Sequence, residues 1–168
     1  IMVYSIFNKI HKLNNFQTVS AHCDIPCKIY DPMHAQISVL TMIRICDLIS
    51  ELENKDSNDI NDKAQFSRLI SQKEEHGIKV KDEIRVIWGD YIKEPQLEKF
   101  PELHKLTHDI MLNTSKAKQE VNKEITIDLL KKINRFAEIF WTTKNVKTYK
   151  AICPYPPAQE LIYPDLKE

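Results

Sequence analysis

The chain has 168 residues, among them 24 basic and 24 acidic side chains, two glycines and four cysteines. That length suits one domain with a sizeable core, the cancelled charge gives no ground for a nucleic-acid or anionic-membrane partner, and the scarcity of glycine argues against a turn-rich β-sandwich or barrel. No apolar run approaches the ~20 residues of a spanning helix, and four cysteines do not make a disulfide scaffold, so a reducing, cytoplasmic location is expected.

Residues 1–21 open apolar (Ile1-Met2-Val3-Tyr4-Ser5-Ile6-Phe7) and turn polar and basic from Asn8, the reverse of a secretory signal. Val19-Ser20-Ala21 nevertheless has the small residues of a cleavage site. The plainer reading is an amphipathic N-terminus that stays attached. Next comes His22-Cys23-Asp24-Ile25-Pro26-Cys27-Lys28-Ile29-Tyr30-Asp31, with two cysteines four positions apart and a histidine touching the first. Pro26 fixes φ and bars helix, so a turn is expected that lets both sulfurs face one point. An imidazole and two thiolates from one short segment form a soft donor set suited to transition metals.

Asp31-Pro32 predicts a helix start, an N-cap carboxylate followed by proline at the first helical position. Ala35, Val39, Met42, Ile43, Cys46 and Ile49 then recur at helical spacing to about Leu52. Cys46 lies on that stripe and reads as a small buried hydrophobe. Glu53 to Asp62 reads as a loop. A second helix is expected from about Asp62 to Tyr91, with Phe66, Leu69, Ile70, Lys73, Gly77, Val80, Ile84, Ile87 and Tyr91 in phase through the glycine. Pro95 closes it. A third helix begins near Leu97 or Pro101, uses Leu103, Leu106, Ile110 and Met111, and fades after Ser115; a fourth takes Ile125, Leu129, Ile133, Phe136, Ala137 and Phe140 and ends near Thr143. Thr148 to Glu168 holds four of the eight prolines and reads as an extended arm. The fold class expected is all-α: an antiparallel four-helix bundle with an N-terminal metal-binding hook. Three parts follow: the N-terminal residues 1–21, the hook and bundle over 22–144, and a proline-rich C-terminal arm over 145–168.

Spelled as His-Cys-Asp-x-Pro-Cys-x-x-Tyr-Asp-Pro, the string from His22 to Pro32 resembles the metal hook of the nickel superoxide dismutase family. Trp88-Gly89-Asp90-Tyr91-Ile92-Lys93-Glu94-Pro95 with Glu98-Lys99-Phe100-Pro101-Glu102-Leu103-His104 is a second resemblance, and Ile139-Phe140-Trp141 with Thr143-Lys144 a third. Together they cover about Ala21 to about Lys144. The resemblance implies the same bundle, a nickel ion cycling between Ni(II) and Ni(III), and conversion of superoxide to dioxygen and hydrogen peroxide. It implies that a leader is cut between Ala21 and His22 by a maturation peptidase, because the new α-amine is itself a ligand. The ligands it implies are the His22 amine, the Cys23 amide and thiolate and the Cys27 thiolate, with the His22 imidazole axial in the oxidised state. Tyr30 stands beside the open face, Asp24 helps to fix the hook, Pro26 is the cis-proline, and Asp90 and Tyr91 lie near the hook and its entrance. A homohexamer is implied as well.

Three positions depart from the family pattern. A glutamate and an arginine that orient the axial imidazole in well-known members correspond to Ser38 and His76. His76 either takes over that role or is a partly exposed surface histidine. Lys28 replaces a common glycine, and either draws the anionic substrate toward the hook or is simply solvated. His104 and His108, four apart on one helix face, lack a third ligand for zinc. Two other functions fit the string: a non-catalytic helical module that binds nickel, copper or zinc, and a thiol–disulfide redox protein using Cys23 and Cys27.

Overall fold

A computed structural model describes residues 29–55 and 59–166. The leader with its cut after Ala21, and His22, Cys23, Asp24, Pro26, Cys27 and Lys28, lie outside the described residues. The described chain is mostly helical. Helix α1 spans Met33–Glu53, α2 Ile60–Val86 with a π-helical turn at Ile87–Tyr91, α3 Glu94–Lys99, α4 Leu103–Gln119 and α5 Lys123–Thr143; strands β1, Thr148–Ile152, and β2, Glu160–Pro164, follow.

Helix α1 begins at Met33, one residue later than the Asp31-Pro32 pair predicts: Pro32 is its capping residue and its carbonyl accepts the first helical bond from Gln36, while the Asp31 carboxylate, one place earlier, accepts from the Met33 amide at 2.8 Å. Asp59 caps α2 by accepting from the amides of Asn61 and Asp62, and Asn122 caps α5 by accepting from Glu124 and Ile125. The long helices close a ring of contacts, α1 on α2, α2 on α4, α4 on α5 and α5 on α1. Inside it lie Val39, Met42 and Ile43 of α1, Val80 and Ile84 of α2, Leu103 and Ile110 of α4, and Leu129, Ile133, Phe136 and Phe140 of α5. These are the apolar stripes read from the spacing. Phe66 is the exception: it is nearly half exposed and lines an open cleft with Ile49, Leu52 and Val121 at the far end of α1 and α2.

Helix α2 runs unbroken through Gly77, where α4 passes close by. A Cβ there would overlap Cγ of Lys118, a contact real side chains do not make. Buried Lys73, one turn earlier, donates to the carbonyls of Ala117 (2.6 Å), Lys118 (2.5 Å) and Glu120 (3.0 Å). Its ammonium thus satisfies the open carbonyls at the C-terminal end of α4 and meets the negative end of that helix's dipole. Together these contacts explain why α4 runs past Ser115 to Gln119.

Two elements differ from the sequence reading. The region after Tyr91 forms a separate short helix, with Pro95 in its first turn, where proline's missing N–H costs nothing; α4 then begins at Leu103. The arm is extended but folds back on itself, with β1 and β2 paired antiparallel from Thr148↔Pro164 to Ile152↔Glu160. Its prolines sit in the connection and at the end of β2, where no ladder donor is needed. Cys153 and Leu161 join the main core. The Gln36 amide donates to Asn134 Oδ1 (2.9 Å) and to the Ile162 carbonyl (3.0 Å), and Asn134 donates to the Glu160 carbonyl (2.8 Å), so two amide side chains dock β2 onto α1 and α5.

Candidate active site

Three chain segments distant in sequence meet just after the hook string. Tyr30, the residue before the Asp31 cap, lays its ring against Tyr91, with centroids 5.6 Å apart and planes at 45°. Tyr91 ends the π-helical turn. That turn widens the backbone, with the Ile92 amide reaching the Ile87 carbonyl five residues back, and such turns often mark functional positions. Tyr91 also packs against Phe140 of α5, with ring centroids 5.1 Å apart.

The Tyr91 hydroxyl lies 2.7 Å from Thr143 Oγ1, which itself donates to the Phe140 carbonyl at 2.6 Å. Thr143 has one hydroxyl proton and spends it on that carbonyl, so Tyr91 is the donor to Thr143. The lone pairs of the Tyr91 oxygen stay free to accept. Helix α5 stops here because Asn145 turns left-handed (φ 59°), returning its amide to the Thr142 carbonyl while Val146 bonds Trp141. Lys144, at that helix end, holds its ammonium over the Tyr91 ring at 4.3 Å from the centroid and over Phe140 at 5.7 Å. A cation at a helix C-terminus and over an aromatic face is favourable on both counts.

Of the predicted site residues that are described, Tyr30 and Tyr91 are brought together. Asp90 is exposed and has no side-chain bond to another described residue. Ser38 is buried on α1. His76, half-buried on α2, has Nδ1 2.8 Å from the Gln72 carbonyl; a carbonyl only accepts, so the proton is on Nδ1 and a neutral ring presents Nε2 as an acceptor. No hydrogen bond joins Ser38 to His76 among the described residues. Thr143 and Lys144 were assigned no role from the sequence, because their contact with Tyr91 is tertiary; the signal available was their place in the third resemblance.

Among the described residues no group of three or more His, Cys, Asp or Glu side chains could hold a metal, His104 and His108 included. Cys46 and Cys153 are buried free thiols. Burial pushes the Cys46 thiol above its ordinary range, as fits a packed residue beside Thr126. His22, Cys23 and Cys27, the imidazole and two thiols of the string that precedes Tyr30 in sequence, lie outside the described residues.

The fold and this junction define a mostly helical domain whose sequence carries His22, Cys23 and Cys27 just ahead of Tyr30. A model of the nickel-containing superoxide dismutase family matches residues 17–144. "Superoxide dismutase [Ni]" of Streptomyces coelicolor is 36% identical over 128 residues, 76% of this chain and 91% of the relative. The protein of the same name from Streptomyces seoulensis is 34% identical over 127 residues, 75% of this chain and 90% of the relative. The solved native nickel superoxide dismutase superposes with a TM-score of 0.64 at 32% identity, covering 73% of this chain and 99% of that one. A nickel-containing superoxide dismutase in the oxidised state gives 0.64 at 31%, covering 74% and 99%. The chain belongs to the nickel-containing superoxide dismutase family.

Proposed function

We propose that this protein is a nickel-dependent superoxide dismutase whose metal is held by His22, Cys23 and Cys27. The observation that carries the reading is the junction: the complete His-Cys-Asp-x-Pro-Cys string ends in Tyr30, whose ring rests on Tyr91 between the ends of two helices. Thiolates, amine and amide nitrogen, and an imidazole fit nickel chemically, because strong donors bring its higher oxidation state within reach. Bound there, nickel supplies a one-electron couple that takes an electron from one superoxide and returns it to another.

The chain's own residues do the rest. Tyr30 offers a hydroxyl beside the open face, and Tyr91, its proton committed to Thr143, offers an accepting oxygen. Both rings bring apolar surface to the junction, and Asp24 and Pro26 set the shape of the turn. His76, with Nε2 left as an acceptor, takes the second ring N–H of His22 and orients its imidazole in place of the family's charged partners. Ser38, buried on α1, is then packing rather than a partner.

The four long helices form an antiparallel bundle that seats the hook, residues 1–21 are a leader removed between Ala21 and His22 by a peptidase, and residues 145–168 are a docked C-terminal arm. The protein works in the cytoplasm as a homohexamer. Family membership supports an enzyme over a metal carrier or a thiol–disulfide protein, and neither of those needs Tyr91 beneath Tyr30. Metal analysis and a superoxide assay on protein beginning at His22 test the proposal. About one nickel per chain with rapid turnover is expected; copper or zinc in the hook, or nickel without turnover, overturns it.

A further inference from the structure

We infer that Lys144 is the cation that draws superoxide to the Tyr30–Tyr91 junction, an inference that rests on the function proposed above. Its ammonium is half-buried at the end of α5, 4.3 Å from the centre of the Tyr91 ring, and has no carboxylate partner among the described residues. Every other feature around it fixes its place. The α5 helix ends at Thr143, Asn145 reverses the chain, and the faces of Tyr91 and Phe140 hold the ammonium without neutralising it. An aromatic face attracts a cation yet leaves its full charge available to an anion, whereas an ion pair would cancel it. The substrate is a small monoanion, and one uncompensated positive charge against low-dielectric aromatic walls raises its local concentration. The Tyr91 oxygen, with free lone pairs, is on the same ring the ammonium covers. Lys144 touches no reacting atom on this account, so it is a steering residue.

The test compares parent, Lys144→Met and Lys144→Arg as nickel-loaded protein. Methionine keeps the stem and removes the charge; arginine keeps the charge and stacks on aromatic rings. Lys144→Met should lower kcat/KM about five-fold at low ionic strength, with the gap closing to under two-fold at about 0.5 M salt as screening removes the field. Lys144→Arg should restore most of the rate and the salt dependence, and nickel content should match the parent. A second arm needs no turnover: azide, a monoanion, is titrated at low salt while the Tyr30 and Tyr91 ring resonances are followed by NMR. Azide should shift them in the parent and in Lys144→Arg at concentrations several-fold below those needed in Lys144→Met. Unchanged kcat/KM in Lys144→Met, a loss equal at all salt concentrations, a loss tracking nickel content, or equal azide response in all three proteins would overturn the inference. A parent inactive with nickel bound would instead sink the dismutase reading, and the azide arm would still decide the lysine.

Discussion

Replacing Lys73 with methionine isolates what a buried ammonium does for the helix core. Its Nζ donates to three carbonyls at 2.5–3.0 Å around the end of α4, and the side chain is 1% exposed, so water cannot take over those carbonyls without opening the α2–α4 contact. Hydrogen bonds from a charged donor contribute about 1.5–3 kcal/mol each, less than additively when one group makes all three. A cation at a helix C-terminus adds about 0.5–2 kcal/mol. Against this stands the cost of burying the charge, felt as a lowering of the Lys73 pKa by desolvation; methionine removes that cost and fills most of the volume. The net loss expected for Lys73→Met is about 2–4 kcal/mol, and about 1 kcal/mol more for Lys73→Ala, which also leaves a cavity. Urea unfolding at fixed protein concentration measures both. Hydrogen exchange should accelerate at residues 117–121 while the middle of α5 changes only by the global loss. If Lys73→Met lies within about 0.5 kcal/mol of the parent, the ammonium is balanced by its own desolvation, and the capping account is wrong.

Four other outcomes are expected. Cys23→Ser and Cys27→Ser should each abolish turnover and the thiolate-to-nickel absorption, because a hydroxyl is a harder donor with a far higher pKa, while Cys46→Ser keeps both; loss of activity in Cys46→Ser alone would contradict the ligand assignment. Protein held uncleaved at Ile1 should bind nickel poorly and be inactive beside protein starting at His22, since a peptide nitrogen is a poorer donor than an amine; equal turnover in the two would refute it. Gly77→Ala should destabilise by about 1–2 kcal/mol despite a helix-propensity gain of about 1 kcal/mol, because Lys118 must swing away from the new methyl and from Glu74; a rise in urea midpoint would count against this close approach. Cys46 has a raised folded pKa, so the stability it contributes is complete below the ordinary thiol pKa and is lost as pH rises above it toward the folded value; Cys46→Ala should show a shallower alkaline decline than the parent.

The helices were legible because burial follows period. Val39, Met42, Ile43, Val80, Ile84, Leu129, Ile133 and Phe136 sit at three- and four-residue spacing and all are buried. Lys73 stood on the same stripe, and its position, rather than its charge, foretold burial. Phe66 also kept the phase yet stays partly exposed, because spacing reports which side a residue faces and not how far the neighbouring helices extend to cover it. The hairpin was hidden by its prolines: Tyr149-Lys150-Ala151 and Leu161-Ile162-Tyr163 alternate only briefly between them, and the groups that dock β2, Gln36 and Asn134, lie far upstream. At the site, Tyr30 and Tyr91 were readable from the resemblance alone. Lys144 and Thr143 acquire roles only when the end of α5 is brought to the end of α2.

That meeting of helix ends explains why three separated stretches carry the family's spelling. The helical core begins directly after the string from His22 in sequence, where Asp31 and Pro32 start α1. Tyr30 is the last residue before that point, and its ring needs a partner surface outside α1. Tyr91 supplies it only because the π-helical turn ends there, and Tyr91 keeps its orientation only because Phe140, Thr143 and Lys144 hold its ring and hydroxyl from α5. Each contact comes from a side chain at a helix terminus, where the backbone direction is fixed by a cap rather than by the hook. The platform is therefore assembled by the folding of the helices themselves, through contacts that involve none of the candidate ligands. A metal held by His22, Cys23 and Cys27 is thus not what builds the Tyr30–Tyr91 platform.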